Sequence, residues 1–238
     1  MTLGIIMLAT VVSTLLGGFV AFRYKRYAHI FTGLTAGTLL AVIFLEILPE
    51  IMDIQKDSPL PFIYVLIGFI LFHIFEKIFS LHHSHHDEHD HHTHIASKKV
   101  GVIALIVHSF FDGFSIAVAY AVSPEFGFLL ALAVIAHDFS DGFNTVSLTE
   151  RSKKSKMYLA LDALAPVAGV LVGSAFVFPD AFLGPILSIC AGVLLYVCTG
   201  DVLPEAHCDK PRHTAEHLIA LCAGVLYIVI IMGVVTTV

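Results

Sequence analysis

His108-Ser-Phe-Phe-Asp112-Gly-Phe114 and His137-Asp-Phe-Ser-Asp141-Gly-Phe143 are two seven-residue segments that share five residues and lie inside hydrophobic stretches. Each segment places a histidine and an aspartate four residues apart, so both side chains lie on one face of a helix, with Cβ atoms about 5–6 Å apart. Burying an imidazole and a carboxylate in a bilayer is costly unless another group compensates for the lost water. A divalent metal ion would provide that compensation.

The composition is that of an integral membrane protein. The chain has 238 residues, of which 57% are hydrophobic and 13% charged, against about 25% charged in a soluble domain. The net charge of -6 argues against a nucleic-acid partner, and the sequence has no Walker-type phosphate loop that would drive an ATP-powered pump. The four cysteines form no CxxC pair and are expected to be small core residues.

Eight apolar stretches are long enough to cross about 30 Å of hydrocarbon. They lie near residues 3–22, 28–50, 60–81, 99–122, 126–148, 157–178, 182–204 and 215–237. We therefore expect an all-α integral membrane protein with a single transmembrane domain over residues 1–238 and a loop at residues 82–97 between helices 3 and 4.

The basic residues indicate the orientation of the chain. If both termini face outside, twelve Lys and Arg residues lie in the inner connections and only Lys56 lies outside, as the positive-inside rule requires. The outer connections hold Asp53, Asp57, Glu125 and Asp180, which would concentrate cations at that mouth. We expect the protein in the plasma membrane, with residues 82–97 in the cytoplasm.

Helices 2 and 7 contain similar sequences. Gly37–Glu50 reads GTLLAVIFLEILPE and Gly192–Glu205 reads GVLLYVCTGDVLPE, with seven of fourteen positions identical. The two helices run in opposite directions across the membrane, as do helices 4 and 5. This pattern predicts a 3+2+3 inverted repeat, which is typical of transporters with a substrate site near the midplane.

Four residues of the two motifs are the predicted metal ligands: His108, Asp112, His137 and Asp141. All lie within about one helical turn of the expected bilayer centre. Imidazole and carboxylate together suit Zn²⁺ and similar divalent ions, and we expect no organic cofactor. Ser109 and Asp138 are expected to assist from an adjacent face.

Further polar residues are candidates for an ion pathway, although ordinary interfacial carboxylates would account for several of them. They are Glu46 and Glu50 toward the outer end of helix 2, Asp162 on helix 6, Asn144 on helix 5, and Asp201 and Glu205 toward the inner end of helix 7.

Residues 82–94 read HHSHHDEHDHHTH. A tract of this kind cannot form a packed core and is expected to be a cytoplasmic metal buffer or sensor. A pH-responsive tether is the alternative, because histidine titrates near neutral pH. The eight histidines of the tract are His82, His83, His85, His86, His89, His91, His92 and His94.

These features together resemble the ZIP (zinc/iron-regulated transporter-like) family of divalent metal permeases. Helix 4 of that family carries His-Asn-x-x-Asp or a close variant, and helix 5 carries His-x-x-x-Glu. The resemblance implies a transport site between helices 4 and 5, sometimes with two metal ions, uptake toward the cytoplasm, alternating access and a homodimer.

The chain departs from the family pattern at several positions. Ser109 stands for the usual Asn, Asp141 for a longer Glu, and Ala165 for the Glu that often precedes Pro166. We therefore expect one well-formed metal site and a weakened second one, to which Asp138 and Asp162 contribute in part.

The preferred hypothesis is a secondary transporter of Zn²⁺ or a related divalent ion. One alternative is a metal exporter of the cation diffusion facilitator type, which would have six helices and a soluble C-terminal domain. The other is an intramembrane zinc hydrolase that uses bound metal to activate water.

Overall fold

The computed structural model describes residues 2–24, 27–55, 59–84, 93–149, 151–176, 178–203 and 211–235. Within these ranges the chain forms helices and no strand, and eight helices are long and apolar enough to cross a membrane. This confirms the predicted all-α class and the number of membrane-length helices.

We number the helices α1 to α8 in chain order, and two of them contain a π-helical segment. They are α1 Thr2–Arg23, α2 (consecutively Ala28–Val42, the π-helical Ile43–Ile47, and Leu48–Ile54), α3 Leu60–Ser84, α4 Thr93–Val122, α5 Pro124–Leu148, α6 Ser155–Ala175, α7 (Asp180–Val197 and the π-helical Cys198–Val202) and α8 Pro211–Val235.

The two central helices, α4 and α5, are joined by Ser123 alone. Ser123 is extended, and its hydroxyl accepts a hydrogen bond from the backbone N–H of Phe126 at 3.1 Å, while Pro124 occupies the first turn, where its missing donor does no harm. This cap begins α5 two residues before the predicted start at 126. The resulting tight turn makes α4 and α5 antiparallel neighbours.

The backbone of the histidine tract is described only at its two ends. Helix α3 continues to Ser84 and α4 begins at Thr93, so His82, His83 and His94 lie on helical backbone. The other five histidines of the tract lie outside the described residues, and the role predicted for the tract stays a prediction.

Helices α4 and α6 pack backbone to backbone, and so do α1 and α5. A Cβ added at Gly113 would lie 1.9 Å from the carbonyl oxygen of Pro166, and one at Gly169 would lie 2.0 Å from that of Phe110. Between α1 and α5, a Cβ at Gly142 would lie 1.9 Å from the carbonyl oxygen of Thr14. Only glycine permits these separations, as in other small-residue contacts between membrane helices.

The remaining four helices form two further pairs of the same kind. A Cβ at Gly37 of α2 would lie 2.0 Å from the carbonyl oxygen of Leu221 in α8, and one at Gly192 of α7 would lie 2.0 Å from that of Val65 in α3. Large apolar side chains such as Phe19 and Ile219 are exposed on the outside of the bundle, where lipid would cover them. Cys190 and Cys198 are buried as predicted, whereas Cys222 is exposed and Cys208 lies outside the described residues.

The π-helical segments of α2 and α7 each precede a proline by two residues. The N–H of Leu48 bonds to the carbonyl of Ile43, and that of Leu203 to the carbonyl of Cys198, so both bonds span five residues. Proline cannot donate to the carbonyl four residues before it, and its ring crowds that carbonyl. A widened turn is a known response to such a defect inside a helix.

Replacing Gly142 with alanine is expected to destabilise the protein. The new Cβ would overlap the backbone of α1, which cannot move without separating the two helices, and overpacking of this kind costs about 1–3 kcal/mol. Thermal unfolding in detergent, followed by size-exclusion chromatography, should show a midpoint lower by several degrees.

The matched control is Gly4→Ala, since a Cβ at Gly4 meets nothing within 4 Å. It should unfold at the wild-type temperature or slightly above it, because alanine favours helix. Equal midpoints for the two variants would contradict the close approach of α1 and α5.

Candidate metal centre

The turn at Ser123 brings the two motif histidines to one level. His108 lies fifteen residues before Ser123 and His137 lies fourteen residues after it, which corresponds to about 21–23 Å along each helix. Their imidazole rings face one another with centroids 5.7 Å apart and an angle of 29° between planes. Asp112 and Asp141 each follow their histidine by four residues. Because α4 and α5 are antiparallel, the two aspartates lie on opposite sides of the level of the histidines.

The four side chains converge on one point. His108 Nε2 lies 3.2 Å from Asp112 Oδ2 and 3.7 Å from Asp141 Oδ2. His137 Nε2 lies 3.3 Å from Asp112 Oδ2 and 3.8 Å from Asp141 Oδ2. All four residues are buried. We call this set the His/Asp cage.

The hydrogen bonds of His137 indicate which ring nitrogen is available to a ligand. Nδ1 lies 3.1 Å from the carbonyl oxygen of Ala133, and because a carbonyl only accepts, Nδ1 carries the proton and donates. In a neutral imidazole Nε2 then has its lone pair free. Nε2 lies 3.3 Å from Asp112 Oδ2, and either a proton on Nε2 or a cation between the two atoms would make this contact favourable.

Several polar atoms of the region have no hydrogen-bond partner within the described part of the chain. They include Asp112 Oδ1, both carboxylate oxygens of Asp141, both of Asp138, and His108 Nδ1. Orphaned buried polar atoms are rare and costly. A cation held between Asp112 and Asp141 would satisfy the carboxylates of the cage, so the donor set suits a metal.

The dimensions of the cage match a small tetrahedral ion. Zn²⁺ binds nitrogen and carboxylate oxygen at about 2.0–2.2 Å, and a tetrahedron with bonds of about 2.0–2.1 Å has ligand atoms about 3.3–3.4 Å apart. The four N···O distances in the cage, 3.2 to 3.8 Å, surround that value. Four of the six edges of the cage therefore have about the length that an ion of this size requires.

Ser109, which was expected to assist the metal, is hydrogen-bonded to Asp162. Its hydroxyl donates to Asp162 Oδ1 at 2.7 Å and also lies 3.0 Å from the carbonyl of Leu105. Thr145 donates to Asp162 Oδ2 at 2.8 Å. The fully buried carboxylate of Asp162 therefore joins α4, α5 and α6, and the structure shows it as a link between helices.

Thr145 was not among the predicted site residues, although Asn144 was. Thr145 follows Asp141 by four residues and so lies on the same helical face, which is the signal that would have identified it. Asn144 is buried on α5.

Asp138 is buried beside the cage and interacts electrostatically with Asp112, Asp141 and Asp162. In the described part of the chain, neither Asp138 nor Asp162 belongs to the group whose ligand atoms lie within 4.8 Å of one another. The extra carboxyl groups of Asp138 and Asp162 therefore surround the cage without completing a second one.

The remaining candidates lie on α2 and α7. Glu46 is 5% exposed in the π-helical segment of α2, and neither carboxylate oxygen has a hydrogen-bond partner among the described residues. Glu50 is half-buried one turn later. Asp201 lies on the π-helical backbone of α7, where its side chain is not described, and Glu205 lies outside the described residues.

Comparisons with known proteins agree with these features. The family model described as ZIP Zinc transporter matches residues 84–232, a range that contains α4 to α7 and both motifs. The Zinc transporter ZupT of Corynebacterium aurimucosum is 28% identical over 240 residues, and the alignment covers 89% of each chain.

Replacing Thr145 with valine is expected to destabilise the fold. The substitution keeps the side-chain shape but leaves Asp162 Oδ2 without a donor, and an unsatisfied buried acceptor costs about 1–3 kcal/mol. Thermal unfolding in detergent would measure the loss.

The matched control for that measurement is Thr35→Val. Thr35 is equally buried, but its hydroxyl bonds to the carbonyl of Phe31 in its own helix, so no other side chain loses a partner. Loss of stability in both variants to the same degree would show that Asp162 is not the link.

Proposed function

Because the chain belongs to the ZIP zinc transporter family, we propose that it is a secondary transporter that moves Zn²⁺ or a related divalent ion toward the cytoplasm through the His/Asp cage between α4 and α5. Membership of this family points to a divalent metal transporter rather than an exporter of another class or a hydrolase. The cage is the single observation that carries the assignment of the site.

The ligand types suit an ion that must leave as well as bind. Conduction requires a site that attracts the ion and also releases it. Nitrogen and carboxylate ligands are more labile than a set of four thiolates, and the carboxylates of Asp138 and Asp162 offer neighbouring negative charge as the ion moves away. Asp112 is shared between the two histidines, so a small rotation of one helix would open the cage.

Alternating access through an inverted repeat is the proposed transport mechanism, and the packing of glycines supports it. In such a repeat, helices α1 to α3 correspond to α6 to α8, and α4 corresponds to α5. The pair α1–α5 then corresponds to the pair α6–α4. In the same way, the pair α2–α8 corresponds to the pair α7–α3. All four pairs are joined by glycines at backbone contact distance. Gly37 and Gly192, which begin the repeated sequences, each occupy such a contact.

The two π-helical segments also occur at corresponding places. Ile43–Ile47 and Cys198–Val202 occupy the same positions of the repeated sequences, and each contains one acidic residue, Glu46 or Asp201. We propose these acids as outer and inner stations of the pathway. The orientation follows from the basic residues, which would place both termini outside and the histidine tract in the cytoplasm.

Uptake of radiolabelled Zn²⁺ into proteoliposomes tests the site. Asp112→Asn and Asp141→Asn should each reduce the rate to the level of empty liposomes, because each removes a negative ligand while keeping the shape of the side chain. Glu125→Gln, an exposed carboxylate in the first turn of α5, is the matched control and should retain at least half of the wild-type rate. Uptake at the wild-type rate in either cage variant would refute the assignment.

One midplane ion is expected rather than two. We predict that the double variant Asp112→Asn/Asp141→Asn binds one equivalent of Zn²⁺ fewer than the wild type in equilibrium dialysis against a chelator buffer. The reason is that Asp138 and Asp162 do not close a second cage. A loss of two equivalents would overturn the single-ion interpretation.

A further inference from the structure

A second cluster of ligand-forming side chains lies away from the cage, at the beginnings of α2 and α8. It consists of His29, His213 and Glu216, and one ligand atom from each residue lies within 4.8 Å of the others. We propose that these three residues form a second binding site for Zn²⁺ or a similar divalent ion. Its role as an inner release site rests on the transport function proposed above, whereas the binding of metal does not.

The three side chains are already in contact. His29 Nε2 lies 2.8 Å from Glu216 Oε2, and the rings of His29 and His213 stack with centroids 4.4 Å apart and 16° between planes. His213 and Glu216 are three residues apart on α8, so they share one helical face. Two imidazoles and one carboxylate are a common ligand set for zinc, and three protein ligands leave one position for water.

The backbone holds the cluster in place through the next turn of each helix. His217 Nδ1 lies 3.0 Å from the carbonyl oxygen of His29, and since the carbonyl only accepts, His217 donates. A Cβ added at Gly33 would lie 2.5 Å from the carbonyl oxygen of His217. Two helices this close at Gly33 and again at Gly37 keep their first turns side by side, which preorganises the three ligands.

The cluster is accessible to water, unlike the cage. The side chain of His29 is 10% exposed and that of Glu216 is 32% exposed, so an ion could exchange there without a change in the core. The cluster also offers three ligand residues, against four in the cage. The site should therefore bind more weakly than the cage, as a release site requires.

The first turns of α2 and α8 lie on the same side of the bundle. Gly33 contacts His217, and Gly37 contacts Leu221, so both contacts advance by four residues along each chain and the helices run parallel. The basic residues that precede both helices place this end in the cytoplasm under the proposed orientation. The cluster would then lie on the side of the membrane to which the ion is released.

Titration of purified full-length protein with Co²⁺ tests the proposal, because Co²⁺ reports its ligands by visible absorption. The background variant carries Asp112→Asn, Asp141→Asn and serine in place of the eight tract histidines, which removes the other expected sites. We expect one equivalent of Co²⁺ to bind. His213→Ala should abolish this binding, and Glu216→Gln, which preserves the shape of the side chain, should weaken it at least tenfold.

Two further variants distinguish ligand loss from general damage. His73→Ala removes a histidine that lies on α3 and hydrogen-bonds to Tyr196 at 3.0 Å, and it should leave the titration unchanged. Gly33→Ala keeps all three ligands but separates α2 from α8, and it should also weaken binding. Absence of Co²⁺ binding in the background, or binding that His213→Ala does not change, would show that the cluster is an ion pair only.

The outcome is independent of transport. If wild-type protein transports no metal but the background variant binds Co²⁺ through His213, the second metal site stands and the proposed function fails. If wild-type protein transports Zn²⁺ and the background variant binds no Co²⁺, the proposed function stands and the second metal site fails.

Discussion

Two imidazoles and two carboxylates held out of water between α4 and α5 are the constraint on which the rest of the structure depends. Isolated charges in such surroundings are unstable, and hydrogen bonds within the described chain do not satisfy all of their polar atoms. The arrangement becomes favourable when a cation lies among the ligands. A doubly charged ion would balance both carboxylates, which is why the same groups that make an empty site costly suit a divalent occupant.

Close packing of glycines gives the cage its dimensions. Gly113 and Gly142 directly follow the two aspartates of the cage, and each receives the backbone of a neighbouring helix, α6 or α1. Helices α4 and α5 are thus packed against α6 and α1 at the level of the cage. Asp162 adds a polar link at the same level through Ser109 and Thr145. A movement of α1 or α6 would therefore change the ligand distances directly.

Helices α2 and α7 contain similar local defects. Each helix widens to a π-helical turn just before a proline, and each defect includes an acidic residue. A helix with a missing hydrogen bond bends more easily than a regular one. The same local defect therefore includes an acidic residue and weakens the helix that holds it.

The sequence by itself determined the features that depend on neighbours along one helix. Hydropathy predicted eight membrane-length helices, and the four-residue spacing of His108 and Asp112 placed them on one face, because helical periodicity is the same wherever the helix packs. Only the tertiary structure decided which faces meet. It turned Ser109 toward Asp162 and brought His29 to Glu216 across 187 residues of chain. The rotation of each helix about its axis depends on packing against its partners, and no local pattern encodes that rotation.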